Sequence, residues 1–358
     1  MTTGPLRRFA AGRTLLLGAV LALAVPGSAY ANTVSVTVKT PGATSGPVGA
    51  NSEISTHADC AAGLISGGGI NQAIGTGAGV NGNHVNGTAP SSDGTTEYTG
   101  STGVVGTDAT HWLGISGSGG QVNASFSTTP YAVCLTSNLI NHTQVVMNKA
   151  DTPTTGATPG LVVATCPANT RLLGGGARTT PGNTGTFKAI ASFPTFNNAA
   201  HDFGQKAAAS GETNPDSWAA VGWDGSTNST DTTYAYAICS GSGINVSGAT
   251  VTVRHSEVSG PTTGSTGQTA TAGCGGNDGT LASGGAAISG GNVTTTDFTG
   301  PGSGGDHLNG SFPSTSGGAA VSDGTTTAAY WTAATHTGGQ ASSGTSTDAW
   351  ALCANDGV

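Results

Sequence analysis

Six cysteines recur along the chain in three pairs, the members of each pair standing 74, 73 and 79 residues apart. Each pair sits in the same run of landmarks, which is the signature of one unit repeated three times. The first cysteine leads into a glycine phrase. Leu64-Ile65-Ser66-Gly67-Gly68-Gly69 follows Cys60, Leu172-Leu173-Gly174-Gly175-Gly176-Ala177 follows Cys166, and Leu281-Ala282-Ser283-Gly284-Gly285-Ala286 follows Cys274. The second cysteine closes an aromatic–Ala–aliphatic–Cys phrase: Tyr131 to Cys134, Tyr236 to Cys239, and Ala349-Trp350-Ala351-Leu352-Cys353, where the aromatic position reads as shifted. Between the two lie a small-residue phrase ending in Pro90, Pro194 or Pro313 and an apolar stretch around Trp112, Trp218 or Trp331. An alternating run precedes each first cysteine, at 34–38, 143–147 and 250–254. The units are 32–137, 138–242 and 243–358.

Six cysteines allow fifteen pairings. The matched spacing favours one bridge inside each unit: Cys60–Cys134, Cys166–Cys239 and Cys274–Cys353. Closing a loop of about 75 residues stabilises a fold by roughly 4.5 kcal/mol in the chain-entropy treatment, a large contribution for units so rich in glycine. Metal thiolates are the rival use of cysteine, but no C-x₂-C and no nearby Cys/His pair is present. Runs such as Val34-Ser35-Val36-Thr37-Val38 alternate with period two and are β-branched, as half-buried strands are. No helical periodicity follows residue 31, and 61 glycines would interrupt any helix. The fold class is therefore all-β: three pseudo-equivalent antiparallel units, each of four to six strands with its cysteine strands pinned together. The glycine phrase marks a bulge or a close backbone approach. Two packings fit, small sandwiches in tandem or one shared core around a pseudo-threefold axis, and the short stretches between units favour close packing.

The first 31 residues have the form of a signal peptide. Arg7, Arg8 and Arg13 precede an apolar run, Leu15 to Val25, of about eleven residues, too short for a permanent membrane span. Ala29-Tyr30-Ala31 supplies the small residues of a cleavage site, so the mature chain is expected to begin at Asn32, secreted, with no membrane span. Three of the ten basic residues and none of the eighteen acidic ones lie in this leader, leaving seven against eighteen and a mature net charge of −11. Such a balance argues against nucleic acid, which needs a basic footprint, and against anionic lipid. Charged residues make up only 8% of the chain, so Ser, Thr, Asn and Gly must form most of its surface.

No constellation of an active site is legible. G-x-S-x-G, H-E-x-x-H and H-x-H are absent, and the eight histidines show no clustering. Neither a catalytic residue, a metal ligand nor a cofactor is assigned. Gly275-Gly276-Asn277-Asp278-Gly279 resembles a calcium-binding glycine turn, but one copy cannot make the ladder such turns need. His84 and His307 occupy equivalent positions beside an Asn-Gly-Thr/Ser phrase, with Lys188 near that place in unit two, and are candidate ligand contacts. His111 reads as an isolated surface residue. Trp112, Trp218 and Trp331 suit a core position in each unit. Trp223 and Trp350 fall outside that register and are the other candidate ligand contacts, as exposed rings on which a sugar could stack.

The phrase Cys166-Pro167 through Leu172-Leu173-Gly174-Gly175-Gly176-Ala177, closed by Tyr236-Ala237-Ile238-Cys239, resembles secreted proteins of high-GC Gram-positive bacteria with a C-P-x(6)-G-G-G-A … Y-A-x-C unit. Units one and three depart from it, carrying Ala61 and Gly275 where unit two has Pro167. At fold level, three cysteine-bearing β units resemble the β-prism of vitelline membrane outer layer proteins. The resemblance implies secretion and a disulfide-closed β unit, and no activity. The expected function is a non-catalytic extracellular or cell-envelope protein whose repeated surface makes multivalent contacts. A lectin-like glycan binder, with cell-wall or extracellular polysaccharide as partner, is the second reading, and an extracellular hydrolase of unrecognised type the third.

Overall fold

The computed structural model describes residues 33–73, 82–120, 126–154, 158–181, 187–225 and 231–356, with Met1, Thr2 and Gly4. Apart from those three residues the leader, with its cleavage site, lies outside the described residues. Unit one contains β1 (Ser35–Lys39), β2 (Thr44–Ser45), β3 (Glu53–Asp59), β4 (Leu64–Ala73), β5 (Asn83–Ser91), β6 (Gly103–Thr107), β7 (His111–Ser118) and β8 (Ser127–Thr136). Unit two contains β9 (Thr143–Ala150), β10 (Pro159–Thr165), β11 (Leu172–Thr180), β12 (Phe187–Thr195), β13 (Ser217–Asp224) and β14 (Thr232–Ser240). Unit three contains β15 (Thr250–Ser259), β16 (Gly267–Gly273), β17 (Thr280–Ser289), β18 (His307–Ser314), β19 (Tyr330–His336) and β20 (Ser346–Asn355).

These strands form three antiparallel sheets that enclose one apolar core, a β-prism-like arrangement. The first sheet runs β1-β8-β4-β18-β19-β16 with β2 beside β8, the second β3-β7-β5-β11-β14-β9-β6, and the third β10-β13-β12-β17-β20-β15. Every unit is thereby split. Its two cysteine-phrase strands and the alternating strand or its counterpart form half of one sheet, and its tryptophan strand and two neighbours form half of the next. Each sheet is completed by another unit. Of the two packings, the shared core holds, and the halves interlock.

The glycine phrases explain how the halves meet. A methyl group on Gly68, Gly175 or Gly284 would overlap the ring of Trp112, Trp218 or Trp331, and also the carbonyl of Tyr131, Tyr236 or Trp350 on the adjacent strand. Each tryptophan, fully buried, crosses from one sheet of its unit to lie on the glycine of the other. The indoles of Trp218 and Trp331 donate to Ser192 Oγ and Ser311 Oγ at 2.8 and 2.9 Å. One residue further on, Gly69, Gly176 and Gly285 lie against the carbonyls of Ser311, Thr88 and Ser192 in the neighbouring unit. There the seams close, at β4–β18, β5–β11 and β12–β17, over one or two paired residues each. The phrase is bulged as well, the register slipping between Ile65 and Gly67, Leu172 and Gly174, and Leu281 and Ser283. Both expectations for the glycines hold at once.

The three disulfides are Cys60–Cys134, Cys166–Cys239 and Cys274–Cys353, with Cα separations of 5.5, 5.7 and 5.6 Å. Each first cysteine follows an outer strand of one sheet and each second lies on an inner strand of the next, so the bridges bolt sheet to sheet at three corners. At the seam of units one and two, Arg178 makes a forked pair with Glu53 at 2.7 and 2.8 Å and donates to Glu97 at 2.9 Å. The ends of the described chain are clasped together, because Thr33 donates through its backbone N–H and hydroxyl to Asp356 at 2.7 and 2.6 Å.

Two outcomes follow. Gly175→Ala is expected to destabilise the fold by about 3 kcal/mol, the cost of overpacking a closed core, whereas Gly276→Ala, whose methyl meets nothing within 4 Å, should change it by less than about 0.5 kcal/mol. Urea unfolding followed by tryptophan fluorescence compares them. Residues 138–242 produced alone should show no cooperative unfolding transition, since β11 and β12 have lost β5 and β17. A sharp transition with native near-ultraviolet dichroism would contradict the interlocked arrangement.

Candidate functional site

The two tryptophans proposed as sugar platforms are inside the protein. Trp350 is 0% exposed and donates its indole N–H to Ala208 O at 3.0 Å. Its ring lies between His255, at 4.8 Å, and Phe193, at 5.5 Å. It is the aromatic member of the third cysteine phrase, in register with Tyr131 and Tyr236, so the shift read from the sequence does not exist. Trp223 is 3% exposed and pairs laterally with Lys188 across β12 and β13. Neither ring offers a free face, because the prism interior takes both.

His84, Lys188 and His307, by contrast, converge on the axis from three different sheets. They hold the same place in their strands, each just before the bulges at Val85/Gly87, Ala189/Ala191 and Leu308/Gly310. The rings of His84 and His307 stand 6.4 Å apart, and His336 joins them 5.4 Å from His307. His84 Nδ1 and His307 Nδ1 face the carbonyls of Gly82 and Gly305 at 2.7 Å. A carbonyl only accepts, so both Nδ1 atoms carry protons and the two buried Nε2 atoms hold lone pairs. Burial, and then the Lys188 charge, push the His84 imidazole down to about 4, and the same causes hold His307 well below its ordinary value. Burial lowers Lys188 to about 8 against the opposing pull of Asp306 and Asp224. Its ammonium donates to Gly304 O at 2.6 Å. Burial, followed by the neighbouring Asp224, raises Asp231 to about 7. The arrangement is a buried polar plug of neutral imidazoles beside one ammonium, closing one end of the core.

The other end carries three outward excursions. Each leaves a strand at an equivalent residue and is pinned by an equivalent bridge: Ser91 to Glu97, Thr195 to Ala207 and Ser314 to Ala320. The excursions, 92–110, 196–216 and 315–329, return to the tryptophan strands β7, β13 and β19. The first forms an open groove of about 430 Å³, lined by Tyr98, Thr99, Ser101, Thr102 and the exposed Val104. The third forms one of about 420 Å³, lined by Thr315, Ser316, Val321, Thr325 and Tyr330. The second folds into the 3-10 helix Ala199–Gly204 and presents Phe203, 62% exposed. Phe203 and Asp202 hold φ of 54° and 45°, a conformation that costs a non-glycine residue free energy and is retained where the surroundings impose it. Sequence reasoning passed over all three excursions, because Ser, Thr and Gly stretches read simply as loops.

The histidines do cluster, contrary to the sequence reading. Besides the axial group, His111 lies 3.4 Å from Asp59 and its ring 5.3 Å from that of His57. His-x-Asp alternation in β3 is the signal that was available, but only the pairing of β3 with β7 brings His111 to it. A serine, a histidine and an aspartate also meet at Asp348, which accepts from Ser289 Oγ at 3.0 Å and contacts His255 Nε2 at 2.9 Å. The carboxylate lies between the other two, whereas activating a serine needs the imidazole in the middle. In the Gly275 turn, Asp278 accepts from Gly275 N–H at 2.6 Å and pairs with Arg254, so its carboxylate is engaged in holding the turn. No family model matches the chain, and no curated protein matches it.

The axial plug makes stability depend on pH. A histidine held near 4 when folded and 6.5 when unfolded contributes stability that is complete above about 6.5 and is lost as pH falls toward 4. Asp231, protonated up to about 7 in the folded state, acts in the opposite direction over this window, so a difference measurement is required. Between pH 7.5 and 4, the parent protein should lose about 3 kcal/mol more stability than His84→Gln, by urea unfolding at each pH.

Proposed function

We propose that the protein is an exported, non-catalytic component of the extracellular space or cell envelope, and that its outer excursions make several weak contacts at once. The observation that carries this reading is the recurrence of one device on all three sheets: an excursion pinned by the same bridge, opening a groove or presenting an apolar residue. Tyr98 with Val104, Phe203, and Tyr330 each give one face an adhesive group within a neutral, hydroxyl-rich surface. Single contacts of this size are weak, and several on one rigid body multiply through effective concentration. Three disulfides suit an oxidising compartment. Among the described residues no helix is long and apolar enough to cross a membrane. Secretion through the leader ending at Ala31, and kinship with secreted proteins of high-GC Gram-positive bacteria, belong to the same proposal.

A lectin-like reading is favoured by one further observation, the placing of a tyrosine among Ser and Thr hydroxyls in both grooves. An aromatic ring beside hydroxyls presents the apolar face and the hydrogen-bonding groups that a pyranose requires. The partner under this reading is a neutral cell-wall or extracellular polysaccharide.

Filling the grooves tests both readings without disturbing the core. Thr102→Trp and Ser316→Trp each replace an exposed groove residue. Each is expected to weaken retention on isolated cell envelope by about tenfold, and the pair together by far more, as avidity predicts. Unchanged retention in the double variant, or no retention of the parent, would overturn the multivalent reading. Capture of the parent by purified glycans supports the lectin-like reading, and a glycan array without signal rejects it.

A further inference from the structure

We propose that His57, Asp59 and His111 form a surface site for a divalent transition-metal ion of the zinc class, separate from the outer grooves and from the axial plug. His57 Nε2 and His111 Nε2 lie 3.5 and 3.4 Å from the same oxygen, Asp59 Oδ1. All three ligand atoms fall within 4.8 Å of one another. A tetrahedral ion bound at about 2.0–2.1 Å by nitrogen and oxygen sets its ligands roughly 3.3 Å apart. Two of the three edges already match that figure, and rotation of the half-buried His57 ring closes the third.

The backbone fixes the arrangement. Asp59 and His111 are cross-strand partners in the β3–β7 pairing, and His57 lies two residues back on the same face. On the opposite face, Ala58 and Trp112 are buried in the core, and Cys60 carries the first disulfide. The ligands therefore stand outward on a rigid base, which metal sites require. Gly94 lies against both imidazoles, where a side chain would crowd His57 and His111. A groove of about 220 Å³ adjoins the site, lined by Lys39, Thr40, Pro41, His57, Asp59 and Asp323, so a fourth position is open to water or a small ligand.

The hydrogen bonds point the same way. Thr110 Oγ1 donates its one proton to Ser92 O at 3.2 Å. Its contact with His111 Nδ1, at 2.8 Å, is then one in which the imidazole donates. The ring so oriented turns its Nε2 toward the Asp59 carboxylate oxygen, 3.4 Å away, where an ion would be shared between them. A second hydrogen bond that holds a histidine by its other nitrogen is the usual support of a metal ligand. Two imidazoles with one carboxylate select zinc-class ions over magnesium or calcium, which prefer oxygen alone.

The test uses tag-free mature protein, freed of metal with a chelator and titrated with zinc chloride by calorimetry, with cobalt(II) absorption reporting the geometry. One ion per chain is expected, with affinity reduced at least about tenfold in Asp59→Asn and in His111→Ala and unchanged in His142→Ala. Affinity should also fall as the pH is lowered, since protons compete for the same lone pairs. Asp59→Asn keeps the side-chain volume, and thermal melts confirm that each variant is folded. Absence of saturable binding in the parent, or affinity equal to the parent's in Asp59→Asn or in His111→Ala, would overturn the site. Loss of binding in His84→Gln instead would do so too, by placing the ion at the axis.

Discussion

Everything in this prism depends on how closely its sheets can approach, and that distance is set where a tryptophan ring packs against a glycine. Gly68, Gly175 and Gly284 each accept an indole from the adjoining sheet and a carbonyl from the adjoining strand, leaving no room for a side chain. The next glycine in each phrase admits the carbonyl of a different unit. Large and small residues thus interlock in three equivalent corners, and a core with few aromatics is filled in part by three tryptophans that each span two sheets. The disulfides act at the same corners, joining one sheet to the next.

The features that repeat are interior and those that differ lie outside. Glycines, tryptophans, bulges and bridged cysteines have counterparts in all three units, and they set the geometry of the frame. The excursions vary in length and chemistry, from the groove around Tyr98 to the exposed ring of Phe203, while leaving from equivalent points. Recognition placed on such segments can change without disturbing the corners. The same division applies at the axis, where two histidines and a lysine occupy equivalent places and give one end of the core a charge that burial would otherwise exclude.

Much of this was legible before any coordinates. The cysteine spacing identified the right partners, and the alternation of Val34 to Val38 marked a strand. The glycine phrase predicted a bulge or a close approach, because glycine in a strand has few other uses, and the structure has both. The equivalence of His84 and His307 was visible from the Asn-Gly phrase beside them. What escaped was the assignment of strands to sheets. Alternation states which residues face inward, but nothing local in β4 names β18 rather than β5 as its neighbour. Trp350 was misplaced because tyrosine fills its position in the other units, and an aromatic judged against Trp112 rather than Tyr131 looks like an extra one. His57, Asp59 and His111 went unseen because a site built across strands becomes visible only once their pairing is known.

The splitting of each unit between two sheets carries a consequence for how the polypeptide is made. Strand β4, complete early in synthesis, waits for β18, whose Ser311 must reach Ile70 from near the far end of the chain. Until then the edges of the first half-sheet stay open, with unpaired N–H and C=O groups ready to join another molecule. Contacts so distant in sequence form slowly. Abundant glycine, a poor strand former, and a net negative charge, which sets unfinished copies against one another, are then as much a provision for assembly as a property of the finished surface.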